Sequence, residues 1–110
     1  MVRDNTVYVR HILDAISHIE GFLNEVDEDR FSRDIHWQNA FIRELEVIGE
    51  ASRKIDPEFL KIHPEIPWAD IIGMRHKLIN DYFEVALPQV WDTATIDIPK
   101  IKPMLRKLIS

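Results

Sequence analysis

The sequence predicts an all-α fold, an up-and-down bundle of four to five helices. Three observations carry this. Apolar residues recur at steps of three and four along nearly the whole chain. No stretch alternates apolar and polar as a half-buried strand would. Three glycines in 110 residues are too few for the many tight turns of a sandwich or barrel.

Ile12, Ile16, Ile19, Leu23 and Val26 form the first stripe and place a helix over about residues 5–26, with Asp4, Asn5 or Thr6 available as its cap. The acidic stretch Glu25 to Asp29 reads as a solvated turn, with Phe31 as a hydrophobic staple behind it. Phe41, Leu45, Ile48, Ser52 and Ile55 give a second helix over about 33–54, and Trp37 extends its stripe backward by one turn. Two long helices joined by a short connection favour an antiparallel hairpin. Gly49 lowers helix propensity, and Gly49 and Ala51, being small, permit close approach of a neighbour.

Pro57, Pro64 and Pro67 break up the next segment, leaving room for one helical turn around Phe59 and Leu60. Pro67 suits the first position of a third helix through Trp68, Ile71, Ile72, Arg75, Leu78 and Ile79 to about Asp81. Pro88 opens a fourth, short helix with Val90 and Trp91 inward. Asp97 is placed to cap a last helix from Pro99 to Leu108, on which Lys100, Lys102, Arg106 and Lys107 appear without an acid. Trp37, Phe41, Trp68 and Trp91 are expected in the core.

The length fits one domain, taken as residues 1–110. Hydrophobic residues at 45% and charged residues at 30% describe a soluble globular chain. The absence of cysteine excludes disulfides, thiolate metal sites and a cysteine nucleophile. No apolar run is long enough for a membrane span, and Arg3, Asp4, Arg10 and Asp14 interrupt any signal-peptide core, so a cytoplasmic location is expected. A net charge of −5 disfavours a broad nucleic-acid surface but leaves room for a small basic site.

Neither metal nor cofactor is expected. His11, His18, His36, His63 and His76 form no metal-binding spacing. There is no glycine-rich phosphate loop, and Ser17, Ser32 and Ser52 lack the partners of a nucleophile. One segment concentrates chemistry: Gly73-Met74-Arg75-His76-Lys77-Leu78-Ile79-Asn80-Asp81-Tyr82-Phe83. A guanidinium beside hydrogen-bonding groups suits a phosphodiester. The same residues also fit a helix C-terminus whose bases offset the dipole. On one helix Arg75 and Asn80 diverge by roughly 140°. Two copies facing each other across a dimer would bring them together.

Pro67-Trp68, Gly73-Met74-Arg75, Asp81-Tyr82-Phe83 and Val90-Trp91, with Ile48-Gly49-Glu50-Ala51 upstream, resemble the HEPN domain of HepT-like toxins over about residues 5–108. The family signature is arginine, four variable residues, histidine, one variable residue, tyrosine. Arg75 and Tyr82 match it; Asn80 stands at the histidine position. The resemblance implies a metal-independent endoribonuclease acting on RNA as a homodimer, with both motifs lining a cleft between protomers. It implies a minimal nucleotidyltransferase antitoxin as partner, able to attach AMP to Tyr82. Arg75 would hold the scissile phosphate, and the motif histidine would act as general base or acid. Asparagine cannot titrate in that role. Asn80 therefore marks a weakened or inactive natural member or an engineered inactive variant, or else His76, one turn away, stands in. Glu50 is placed either to orient Arg75 or as a surface carboxylate. His76 is otherwise an exposed polar residue, and Tyr82 otherwise a packing residue. The last helix's cations either guide RNA or meet an acidic antitoxin, or form a solvated face. A non-catalytic module that binds nucleotide or RNA and docks a nucleotidyltransferase is the alternative function, and a purely structural dimer is a third.

Overall fold

The computed structural model describes residues 4–73 and 86–109. All regular structure among the described residues is helical. The first helix, α1 (Asn5–Leu23), is capped by Asp4, whose carboxylate accepts the Thr6 backbone N–H at 3.1 Å. It stops three residues earlier than the periodicity suggests. Asn24 ends it by donating back to Gly21 and Phe22, and Val26 stays buried from the following turn.

The acidic stretch is not simply a turn. Asp27 caps a six-residue helix, α2 (Glu28–Arg33), by accepting the Arg30 N–H at 2.9 Å. Glu28 and Asp29 occupy the end where the helix dipole favours negative charge. Phe31, expected as a staple, is a core residue of α2 and only 1% exposed. Arg33 thus belongs to α2, and the next helix, α3 (Ile35–Arg53), starts two residues later than expected, behind the cap Asp34.

α1 and α3 share the most extensive contact in the molecule. Three pairings give its direction. Asn5 Oδ1 accepts the Asp56 N–H at 3.0 Å, His18 Nδ1 lies 2.8 Å from Glu44 Oε1, and Phe22 packs on Trp37 and Phe41. Rising numbers on α1 meet falling numbers on α3, which is the antiparallel hairpin. Val9, Ile12, Ile16 and Ile19 of α1 face Phe41, Leu45 and Ile48 of α3, all at most 1% exposed.

The turn around Phe59 and Leu60 is realised as α4 (Pro57–Lys61). The chain then reaches Trp68, which is buried and donates its indole N–H to His63 O at 3.0 Å. The next helix, α5, begins at 68 directly after Pro67 and runs through 73, the last described residue before 86. Its expected end at Asp81 lies outside the described residues.

The C-terminal region corrects the expectation of two separate helices. α6 (Leu87–Asp92) passes through a π-helical segment (Thr93–Asp97) into α7 (Ile98–Lys107) without a break. Asp97 makes no capping bond and has helical dihedrals. Val90, Ala94 and Ile98, all buried, are spaced by four. In a regular α-helix they would drift by about 80° around the axis. The wider π turn takes up that drift and keeps all three on the core. Pro99 lacks the N–H that would extend the regular ladder, while the Ile98 N–H reaches Thr93 O. The Thr93 and Thr95 hydroxyls donate to Gln89 O and Trp91 O, both at 2.8 Å.

Phe41 and Trp68 are buried as expected. Trp37 and Trp91 are half-buried at the edge of the same core. No described helix is long and apolar enough to cross a membrane.

Candidate functional site

α5 starts from an anchored first turn. Pro67 precedes its first turn, Trp68 is pinned by its indole bond, and Ile71 is 2% exposed. Gly73 is the last described residue of this helix, and among the described residues a methyl group there would meet no atom within 4 Å. A cleft of about 690 Å³ opens between this helix and the π turn and start of α7. Asp70, Ile71 and Gly73 line one wall, and Thr93, Lys100 and Met104 line the other. Arg75, His76, Asn80 and Tyr82 lie outside the described residues.

Glu50 is described. It sits on α3 after the buried Ile48 and Gly49 and before the buried Ala51 and Ser52. The small residues on this part of α3 are buried, and the Ser52 hydroxyl donates to Ile48 O at 2.8 Å. The Glu50 carboxylate accepts from Arg53 Nη2 at 3.1 Å and is one-third exposed, at 33%. Ion pairs of this exposure contribute about 0–1 kcal/mol.

The basic face of α7 is smaller than its sequence suggests. Lys102 turns back to α1, with Nζ 2.7 and 2.9 Å from the two Glu20 carboxylate oxygens. It acts as an interhelix tie and adds no free charge. His18 likewise ties α1 to Glu44, and His63 lies against Phe59 with ring centroids 4.7 Å apart. Among the described residues, no three His, Cys, Asp or Glu side chains converge to hold a metal ion.

Among the described residues, two carboxyls are held below their ordinary range, and both are helix caps. For Asp4 the Thr6 hydroxyl, 2.6 Å away, is the main cause, helped by backbone N–H groups of α1. For Asp34 partial burial pushes the pKa up. The Arg30 Nε–H at 3.1 Å and the His36 backbone N–H at 3.0 Å outweigh it and hold the carboxyl down.

Sequence reading passed over one feature, a smaller pocket of about 370 Å³ between α2 and α6, lined by Glu28, Asp29, Phe31, Leu87, Pro88 and Trp91 among others. Its signal was present in the acidic first turn of α2 beside Phe31, but the aromatic partner Trp91 lies 60 residues away and was taken as core alone.

A family model for the HepT-like ribonucleases matches residues 12–108. The chain belongs to this family. HepT-like relatives include "Probable ribonuclease HepT" of Thermococcus cleftensis, 44% identical over 108 residues that cover 98% of each chain. A provisionally named RNase of Methanocaldococcus jannaschii is 39% identical over 97% of this chain and 92% of its own. A longer protein of that organism, named for gamma-glutamylcyclotransferase and a provisional RNase, is 38% identical over 99% of this chain but only 49% of its own. No solved structure matches. The helical bundle is the architecture the HEPN resemblance implies.

Proposed function

We propose that this HepT-like chain, one domain over residues 1–110, is the toxin half of a toxin–antitoxin pair. In this reading it is a metal-independent endoribonuclease lineage whose own chemistry is weakened by Asn80. The carrying observation is the family match over residues 12–108 together with Arg75 and Tyr82 at the motif spacing. The relatives' names as ribonucleases support RNA as the substrate class.

The site is composite, built by two copies. Arg75 from each protomer neutralises the scissile phosphate as charge builds on its oxygens. The ribose 2′-oxygen attacks phosphorus, its proton must leave, and the 5′-oxygen departs with a proton. A histidine at position 80 would handle one of these protons; the Asn80 amide does not titrate near neutral pH and only hydrogen-bonds. Acid–base assistance is typically worth about 10²–10⁴-fold. RNA binding therefore survives where cleavage falters. His76 is the candidate stand-in, and Glu50 the candidate support for Arg75. The partner is a minimal nucleotidyltransferase antitoxin that places AMP on the Tyr82 hydroxyl, beside the phosphate site, and so blocks it.

Asn80→His tests this. With a chelator present, the variant is expected to cleave RNA about 10²–10⁴-fold faster than the parent. Treating it with the nucleotidyltransferase and ATP is expected to add one AMP mass to the Tyr82 peptide and suppress cleavage. If Asn80→His gains neither cleavage nor toxicity, the acid–base assignment fails. An adduct elsewhere reassigns the regulatory site. Parent activity that disappears in His76→Ala would make His76 the working base.

A further inference from the structure

The pocket between α2 and α6 has a composition that the RNase reading does not use. Its floor is aromatic. The Phe31 ring lies 5.0 Å from Phe41 and 5.3 Å from Trp91 between centroids, and Phe41 lies 5.8 Å from Trp91. Phe31 and Phe41 are buried, so they fix the Trp91 indole, which remains half-buried and lines the opening with Leu87 and Pro88. The rim on the α2 side is acidic. Asp29 already holds a guanidinium, that of Arg33, at 2.7 Å. Glu28 forms no ion pair among the described residues and is exposed.

A fixed indole beside an exposed carboxylate recognises one ligand chemistry well. A cationic head is attracted to the aromatic surface and to the carboxylate together, and its aliphatic stem packs on Leu87 and Pro88. We propose that this pocket takes an arginine or lysine side chain presented by a protein partner, with Trp91 and Glu28 as the recognising pair. Charge chooses protein over nucleic acid. An RNA base would stack on Trp91, but its flanking phosphates would meet Glu28 and Asp29, and like charges at that range repel. The volume of about 370 Å³ accommodates one long side chain with the backbone that carries it. The inference does not depend on the RNase reading, and its test needs no RNA cleavage.

The test is NMR of the indole N–H signals of the full chain, with Trp91 assigned through Trp91→Phe and distinguished from Trp37 and Trp68. The probes are the capped peptide Gly-Arg-Gly, its Gly-Gln-Gly counterpart and a short oligouridylate. The arginine peptide is expected to move the Trp91 signal saturably, and the glutamine peptide to leave it in place. Glu28→Gln is expected to weaken binding about fivefold or more, with Glu28→Asp recovering part of it. Glu28 is exposed, so both variants should keep the parent's circular dichroism. No Trp91 shift up to about 10 mM peptide, the weak end of measurable affinity, overturns the proposal. So does an equal shift from the glutamine peptide, an unchanged affinity in Glu28→Gln, or a response to oligouridylate in place of the peptide.

Discussion

Asp34 joins two helices with one carboxylate. It ends α2 and caps α3, accepting the His36 N–H at 3.0 Å and the Arg30 Nε–H at 3.1 Å. Those donors favour the ionised form and hold its pKa below the ordinary carboxylate range, against the partial burial that pushes it up. The folded state therefore binds fewer protons at this group than the unfolded chain does. The stability it contributes is present above the unfolded carboxyl pKa, near 4, and is lost as pH falls through the folded value. Asp4, held down by the Thr6 hydroxyl, acts in the same direction. We expect Asp34→Ala to lower Tm at pH 7 by about 5 °C, a typical effect of losing one cap in a domain of this size. The gap from the parent should narrow as pH is lowered from 5 towards 3. A gap that widens on acidification would show that Asp34 is not ionised and bonded in the fold. The Asp4 cap was legible as one of three neighbouring candidates. The pairing of Asp34 with Arg30 was not, because the acidic stretch before it disguised α2 as a turn.

Periodicity located the long helices because burial is what spaces their apolar residues. α1 and α3 follow the 3.6-residue repeat, and their stripes were read nearly to the ends. The same rule failed at the C-terminus. Val90, Ala94 and Ile98 are spaced by four, a spacing that drifts by about 80° in a regular helix and by less through a π turn. With Pro99 beside it, the pattern reads as a break between two helices, yet the backbone continues. This separates two possible causes of the π turn, the missing proline N–H and the packing of the buried residues. Packing is the stronger, since reverting to the α register would rotate Ile98, Ile101 and Leu105 away from the core they share with Val90. Ile98→Ala is expected to cost about 2–5 kcal/mol in denaturant unfolding. Pro99→Ala, which restores the N–H, should change stability by less than about 1 kcal/mol and leave the carbonyl shifts of 93–97 in place. A larger loss in Pro99→Ala than in Ile98→Ala would make the proline the cause.

At the scale of the whole molecule, the sequence named a chemistry that one helix cannot assemble alone. On a regular helix Arg75 and Asn80 would stand roughly 140° apart around the axis, so under the proposed reading a joint action on one phosphate calls for a second copy. Trp68 and Ile71 anchor the described start of α5, and the small residues Gly49, Ala51 and Ser52 of α3 are buried. Family membership was legible because its signature is a spacing of particular residues, which survives without coordinates. The pocket at Trp91 was not legible, because it depends on two segments far apart in sequence meeting across the core. A shared site makes a quantitative demand. In the Asn80→His background, equal co-expression of intact and Arg75→Ala chains with random pairing leaves about one quarter of two-fold dimers with both arginines. If both guanidiniums must face one phosphate, RNA cleavage per chain falls to about one quarter of the intact value; if one guanidinium per phosphate suffices, it falls to about one half. Cleavage measured against the mass-spectrometric ratio of the two chains decides between a square-law and a linear loss, and a linear loss would end the requirement for both guanidiniums at one phosphate while leaving the helical fold untouched.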